Sequence, residues 1–194
     1  MSDKTCAERI DDHYDSTMET LRILWAGYCN DECPTCDGTG KRCNCDEENC
    51  PDKDAVCPSC DGEGNLSEDT PEYGNLSEYG LSFDYCYSTR NSPGYFRYQL
   101  SWGGPSDEFR IYADKRGEYR WNIWKIEYWF MDWFDGAHKT LSGDDFKFME
   151  NLITGFFTEC GSLDHEYEKA MENYEPEDEE DLDEEDEEEI DEEE

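Results

Sequence analysis

The sequence predicts an α+β fold: an N-terminal helix, a small cysteine-rich hairpin, a four-stranded antiparallel sheet covered by helices, and a disordered acidic tail. Three observations carry this expectation. Apolar residues recur at three- and four-residue intervals over the first 28 positions, the mark of an amphipathic helix. After residue 80 the pattern changes to alternation rich in aromatic and β-branched residues, the mark of strands. Between these segments, eight of the eleven cysteines crowd into Cys29–Cys60.

Residues 1–28 form the first unit, with the helix over 3–28. Ala7, Ile10, Tyr14, Met18, Leu21 and Trp25 make one apolar stripe, and Asp11, Asp12, Asp15 and Glu19 fill the opposite faces. The stripe is a packing face against the later domain, and Gly27 is expected to end the helix.

Residues 29–64 follow, and they hold one phrase twice: Cys33-Pro-Thr-Cys-Asp-Gly-Thr-Gly40 and Cys57-Pro-Ser-Cys-Asp-Gly-Glu-Gly64. Each copy puts two thiols three residues apart, which suits two corners of a tetrahedron around zinc. The glycines supply the positive φ that a chain needs to curl around a metal-bound sulfur. Together Cys33, Cys36, Cys57 and Cys60 make one site of four thiolates, structural rather than catalytic because no coordination position stays open. Cys29, Cys43, Cys45 and Cys50 are the right number for a second zinc; the alternatives are a partial site or free thiols. One zinc is therefore expected and two are allowed. CxxC pairs with no apolar leader before them read as metal ligands in a reducing cytoplasm rather than as a disulfide framework.

The repeated CxxCxGxG phrase resembles the cysteine-rich region of DnaJ-type co-chaperones. The likeness covers about residues 29–66 and implies a zinc hairpin with Cys33, Cys36, Cys57 and Cys60 as ligands, together with protein binding. Two copies stand here where that family has four, Cys43-Asn-Cys45 and Cys50 depart from CxxC, and no His-Pro-Asp signature occurs. Recruitment of an ATPase chaperone is not implied.

Residues 65–79 read as a linker rich in Gly, Ser and acids, with the echo Gly64-Asn-Leu-Ser-Glu68 and Gly74-Asn-Leu-Ser-Glu78. Residues 80–174 hold the main domain. Strands are expected at Gly80–Tyr87, Tyr95–Trp102, Glu108–Ala113 and Tyr119 to about Phe130, and Asp135-Gly136 breaks the run. A helix starts near Ser142 with acids in its first turn, presents Phe146, Met149, Ile153, Phe156 and Phe157 on one face, and stops at Gly161. A short acidic helix over 163–173 leads into the tail, 175–194.

The formal charge is −37, unevenly spread. The tail has 17 acids and no base, whereas residues 81–174 are only mildly negative. So acidic a segment has nothing to bury and stays disordered. Direct binding of nucleic acid is opposed by the charge, and no segment suits a membrane span. The partner this charge suits is a basic protein, such as a nucleic-acid enzyme.

Two constellations are candidates for chemistry or binding. Glu127, Asp132, Asp135 and His138 offer metal ligands or acid–base groups, although strand parity does not put the three carboxylates on one face. The run containing Trp121, Trp124, Trp129 and Trp133 has more aromatic surface than one sheet face needs, and the excess is a candidate partner surface. Residues 95–110 and 126–136 resemble uncharacterised plasmid and phage proteins, which implies a mobile-element context and no particular activity.

The reading that joins these features is a non-enzymatic, zinc-binding, acidic protein-interaction module acting as a DNA mimic against a host defence or nucleic-acid-binding protein. Its rivals are a DnaJ-like zinc-hairpin chaperone or assembly factor, and a metal-dependent enzyme using the Glu127–His138 cluster. Oligomeric state is left open.

Overall fold

The structure, a computed structural model, describes residues 4–29, 32–33, 35–41, 55–65, 74–90, 92–117 and 120–174. The expected acidic tail, most of the linker, and Cys43, Cys45 and Cys50 lie outside the described residues.

Helix α1 (Cys6–Cys29) is followed by a four-residue helix α2 (Leu76–Tyr79) and an antiparallel sheet in sequence order. Its strands are β1 (Ser82–Cys86), β2 (Tyr95–Gln99), β3 (Ser106–Lys115), β4 (Trp121–Asp132) and β5 (Asp135–Thr140). Helix α3 (Gly143–Leu152) runs into a π-helical turn (Ile153–Thr158), and α4 (Ser162–Glu172) closes the described chain. The fold is α+β with helices on the sheet, as expected.

The strand count needs correcting from four to five. Asp135-Gly136 does not end the sheet; it opens β5, which pairs with β4 from Glu127↔Thr140 to Asp132↔Asp135. The hairpin turns through Trp133 and Phe134, and Trp133 takes the positive φ of 53° that glycine or asparagine usually supplies. Two further boundaries move. Gly27 is buried inside α1, which continues to Cys29. The linker contains α2, capped by the Asn75 side chain accepting from the Glu78 amide and pinned by buried Leu76.

One face of the sheet carries Phe83, Tyr85, Phe96, Tyr98, Phe109, Ile111, Ile126, Tyr128 and Phe130, and the helices cover it. Ile10, Tyr14, Met18, Leu21 and Leu24 of α1 join this core, with Met149, Leu152, Ile153, Phe157 and Leu163. Ala7, expected in the stripe, is exposed. Trp25 is half-buried, and its ring fills the space beside Gly155, where a Cβ would stand 2.7 Å from it. The π-helical turn lets consecutive Phe156 and Phe157 serve two neighbours. Phe157 stacks on Phe83 at 4.3 Å, while Phe156 meets Tyr28 edge-on at 5.3 Å.

Candidate metal centre and the open sheet face

Helix α1 has a second buried edge, Ile23 and Ala26, which faces away from the sheet and onto the cysteine centre. The two knuckles there are related by a local pseudo-two-fold. The Cys33 amide donates to the Gly64 carbonyl at 2.7 Å, and the Cys57 amide donates to the Gly40 carbonyl at 3.0 Å. The bridge Glu32↔Asn65 has its counterpart in Lys41↔Val56. Asp37 and Asp61 match at φ 47° and 51°, and the glycines after them share the left-handed region.

This symmetry explains the phrase CPxCDGxG. A Cβ on Gly40 would lie 2.2 Å from the Gly62 carbonyl oxygen, and one on Gly64 2.4 Å from that of Gly38. Only glycine lets the two turns pack back to back.

The packing brings Cys33, Cys36, Cys57 and Cys60 together, with all four sulfurs within 4.8 Å of one another and all four residues buried. Cys33 Sγ lies 4.0 Å from Cys57 Sγ, and Cys36 Sγ lies 3.7 Å from Cys60 Sγ. Four thiolates at about 2.3 Å from a tetrahedral ion stand about 3.8 Å apart. A disulfide needs about 2.0 Å, so the spacing fits a metal ion and not a cross-link. The Gly64 amide donates to Cys60 Sγ at 3.3 Å, as a bound thiolate requires. The thiols differ in their surroundings. Burial pushes Cys33 up to about 12, whereas at Cys36 hydrogen bonds from the Gly40 amide and neighbouring thiols outweigh burial and lower it. The centre can hold one metal ion. Of the four cysteines expected to make a second site, only Cys29 is described, exposed at the end of α1.

The face of the sheet turned away from the helices carries Asp84, Tyr95, Arg97, Gln99, Glu108, Arg110, Tyr112, Lys125, Glu127, Trp129 and His138. Its cations stand over its rings. Arg110 stands 3.8 Å over Trp129 and 5.0 Å over Tyr95, and Lys125 stands 3.8 Å over Tyr112. The same cations pair with Glu108 at 2.7 Å and Glu127 at 3.2 Å, and Arg97 pairs with Asp84 at 3.0 Å. Arg97 and Arg110 are therefore held in ion pairs on this face. Strand parity sets Arg97 and Gln99 apart from the core-facing rings of β2; the pairing of cations with rings is what it did not reveal.

The Glu127–His138 constellation is dispersed. Glu127 accepts from Tyr112 Oη at 3.1 Å and Trp129 Nε1 at 3.0 Å. Burial raises its pKa, but the bonds from Trp129, Lys125 and Tyr112 outweigh that and hold it below the usual carboxylate range. Asp132 pairs with Arg9 at 2.5 Å, and Asp135 accepts from the Cys6 amide at 2.6 Å, so both anchor the start of α1 to the β4–β5 turn. His138 stacks on Trp129 at 4.6 Å.

The four candidate tryptophans also separate. Trp121 faces the core, edge-on to Phe96 and Tyr167 at 4.9 and 5.3 Å. Trp124 and Trp129 belong to the open face, exposed and half-buried respectively. Trp133 stands in the β4–β5 turn, 87% exposed.

No helix among the described residues is long and apolar enough to cross a membrane. Comparison with protein-family models, with curated proteins and with solved structures finds no match.

Proposed function

We propose that this chain is a non-enzymatic, zinc-stapled interaction module whose acidic surface occupies the nucleic-acid-binding site of a basic protein. One observation carries the reading. Glu8, Asp12, Asp15 and Glu19 are all exposed on α1 in one stripe of the helix, and Asp11 beside them is paired with Lys139 at 2.9 Å. At 1.5 Å per residue the stripe is about 16 Å long, or about one unpaired charge per 5–6 Å. A strand of duplex DNA offers one phosphate per about 3.4 Å of axis. The ridge thus supplies a row of anions on the scale of phosphate spacing, which the composition alone did not imply.

The metal in this reading is zinc. Four buried thiolates suit its soft, tetrahedral preference and leave no position for substrate, so its role is to clamp the knuckles against α1. The compartment is the reducing cytoplasm, where such thiols stay available to metal, and the sequence likeness to plasmid and phage proteins suggests a mobile-element setting.

The test is competition. The immobilised chain should retain basic DNA-binding proteins at low salt, and both added salt and free duplex DNA should displace them. Asp12→Asn, Asp15→Asn and Glu19→Gln together should weaken retention about tenfold or more. Retention of unfolded proteins regardless of salt or ridge charge would instead favour a DnaJ-like chaperone role for the knuckles.

A further inference from the structure

The β4–β5 hairpin ends in two adjacent aromatic rings that stand almost wholly in solvent. Trp133 is 87% exposed and Phe134 fully so, and at the same end of the sheet Trp102, just before the β2–β3 turn, is 77% exposed. Trp133 lies against that turn, since a Cβ on Gly104 would meet its Nε1 at 3.1 Å. Beside the rings is an open recess of about 540 Å³, lined by Lys4, Arg9, Gly104, Asp132 and Trp133.

The backbone makes these rings more informative than scattered surface aromatics. A two-residue hairpin with positive φ at its first central position favours glycine there, and tryptophan in that region is strained. The fold gains little burial from either ring. Large rings held in water on a strained, firmly anchored turn suit insertion into something else. Asp132 and Asp135, on either side of the tip, tie it to Arg9 and to the Cys6 amide, so it is presented rigidly and binding costs little ordering.

We propose that the Trp133-Phe134 tip, with Trp102, is an apolar anchor that seats in an apolar pocket on a basic protein partner. The charge of the partner rests on the function proposed above; the anchor itself rests on the exposed rings. Charge decides between occupants. A second copy would bring −37 against −37, and an anionic lipid surface is repelled in the same way. A positively charged protein is attracted, and a pocket for the rings adds the aromatic contacts that carry most interface energy.

The experiment uses the full, zinc-loaded chain and two synthetic peptides with equal numbers of lysines, one an oligolysine and one an amphipathic lysine–leucine helix. The comparison variant combines Trp133→Gly and Phe134→Ser, which removes the rings and supplies the residue that the turn favours. The wild-type chain should bind the lysine–leucine peptide at least tenfold more tightly than oligolysine. The variant should lose that margin, bind oligolysine within twofold of wild type, and melt no lower. A margin that persists in the variant, or a variant that melts well below wild type, would overturn the anchor. So would a blue shift of tryptophan emission with neutral phosphatidylcholine vesicles that the variant lacks, which would make the tip a membrane device. Oligolysine binding without any apolar margin would sink the anchor alone. No binding of either peptide at low salt would sink the acidic-surface reading with it.

Discussion

Glu127 shows how a charged residue is kept on the sheet by the donors around it. Its side chain is 8% exposed, and its carboxylate receives the Tyr112 hydroxyl, the Trp129 indole and the Lys125 ammonium, all on the same face. These donors favour the ionised form, so the group has no proton to give near neutral pH. Its folded pKa is lowered, so the stability it contributes is present above the ordinary carboxylate pKa and is lost as pH falls through the depressed value. Glu127→Gln should therefore destabilise the fold by about 2 kcal/mol at pH 7, the usual scale for hydrogen bonds to a charge. The difference in melting temperature from wild type should shrink on acidification towards pH 3. A constant difference across that range would mean that the ionised form is not what matters.

At the scale of elements, the metal centre and α1 form one unit, because the knuckles bury Ile23 and Ala26 on the side of the helix away from the sheet. With zinc as the metal proposed above, Cys33→Ser should abolish its stoichiometric binding, measured by a colorimetric chelator assay, and expose the two knuckles to protease; structural zinc contributes about 10 kcal/mol or more in such sites. Gly40→Ala tests the back-to-back packing with every thiol in place. It should weaken zinc binding at least tenfold, since its Cβ would collide with the Gly62 carbonyl in a left-handed backbone. The metal site was legible in the sequence because its chemistry is local and repeated: the same eight-residue phrase gives the same turn twice. The sheet was legible from alternation, and the π-helical turn was hidden within an ordinary-looking apolar period. Strand β5 was missed for a definite reason. Its turn is Trp133-Phe134, which carries no turn signal, whereas the Asp135-Gly136 pair that looks like a turn lies inside the strand. Cys6 and Asp135 gave no sign of meeting, because the link is a backbone amide to a carboxylate 129 residues away.

Across the whole molecule, charge and fold separate. Nine of the fourteen described lysines and arginines pair with acids at 4.0 Å or less, among them Arg22 with Asp145 and Lys115 with Asp164, so most of the body's cations are used internally. The unpaired surplus is acidic, and residues 175–194 add 17 more carboxylates with only Leu182 and Ile190 to bury. A chain ending at Tyr174 should keep its melting temperature within about 2 °C by calorimetry. Its binding to a basic partner should weaken and depend less steeply on salt, because fewer ions are displaced on contact. A large loss of thermal stability would mean that the tail packs on the body.

The paired bridges Glu32↔Asn65 and Lys41↔Val56 have a mechanical consequence. Each joins an end of one knuckle to an end of the other, so the two turns close like a buckle. Neither half can swing away without parting the backbone bond that it makes with its twin, Cys33 amide to Gly64 carbonyl or Cys57 amide to Gly40 carbonyl, and the four thiols are kept facing one another.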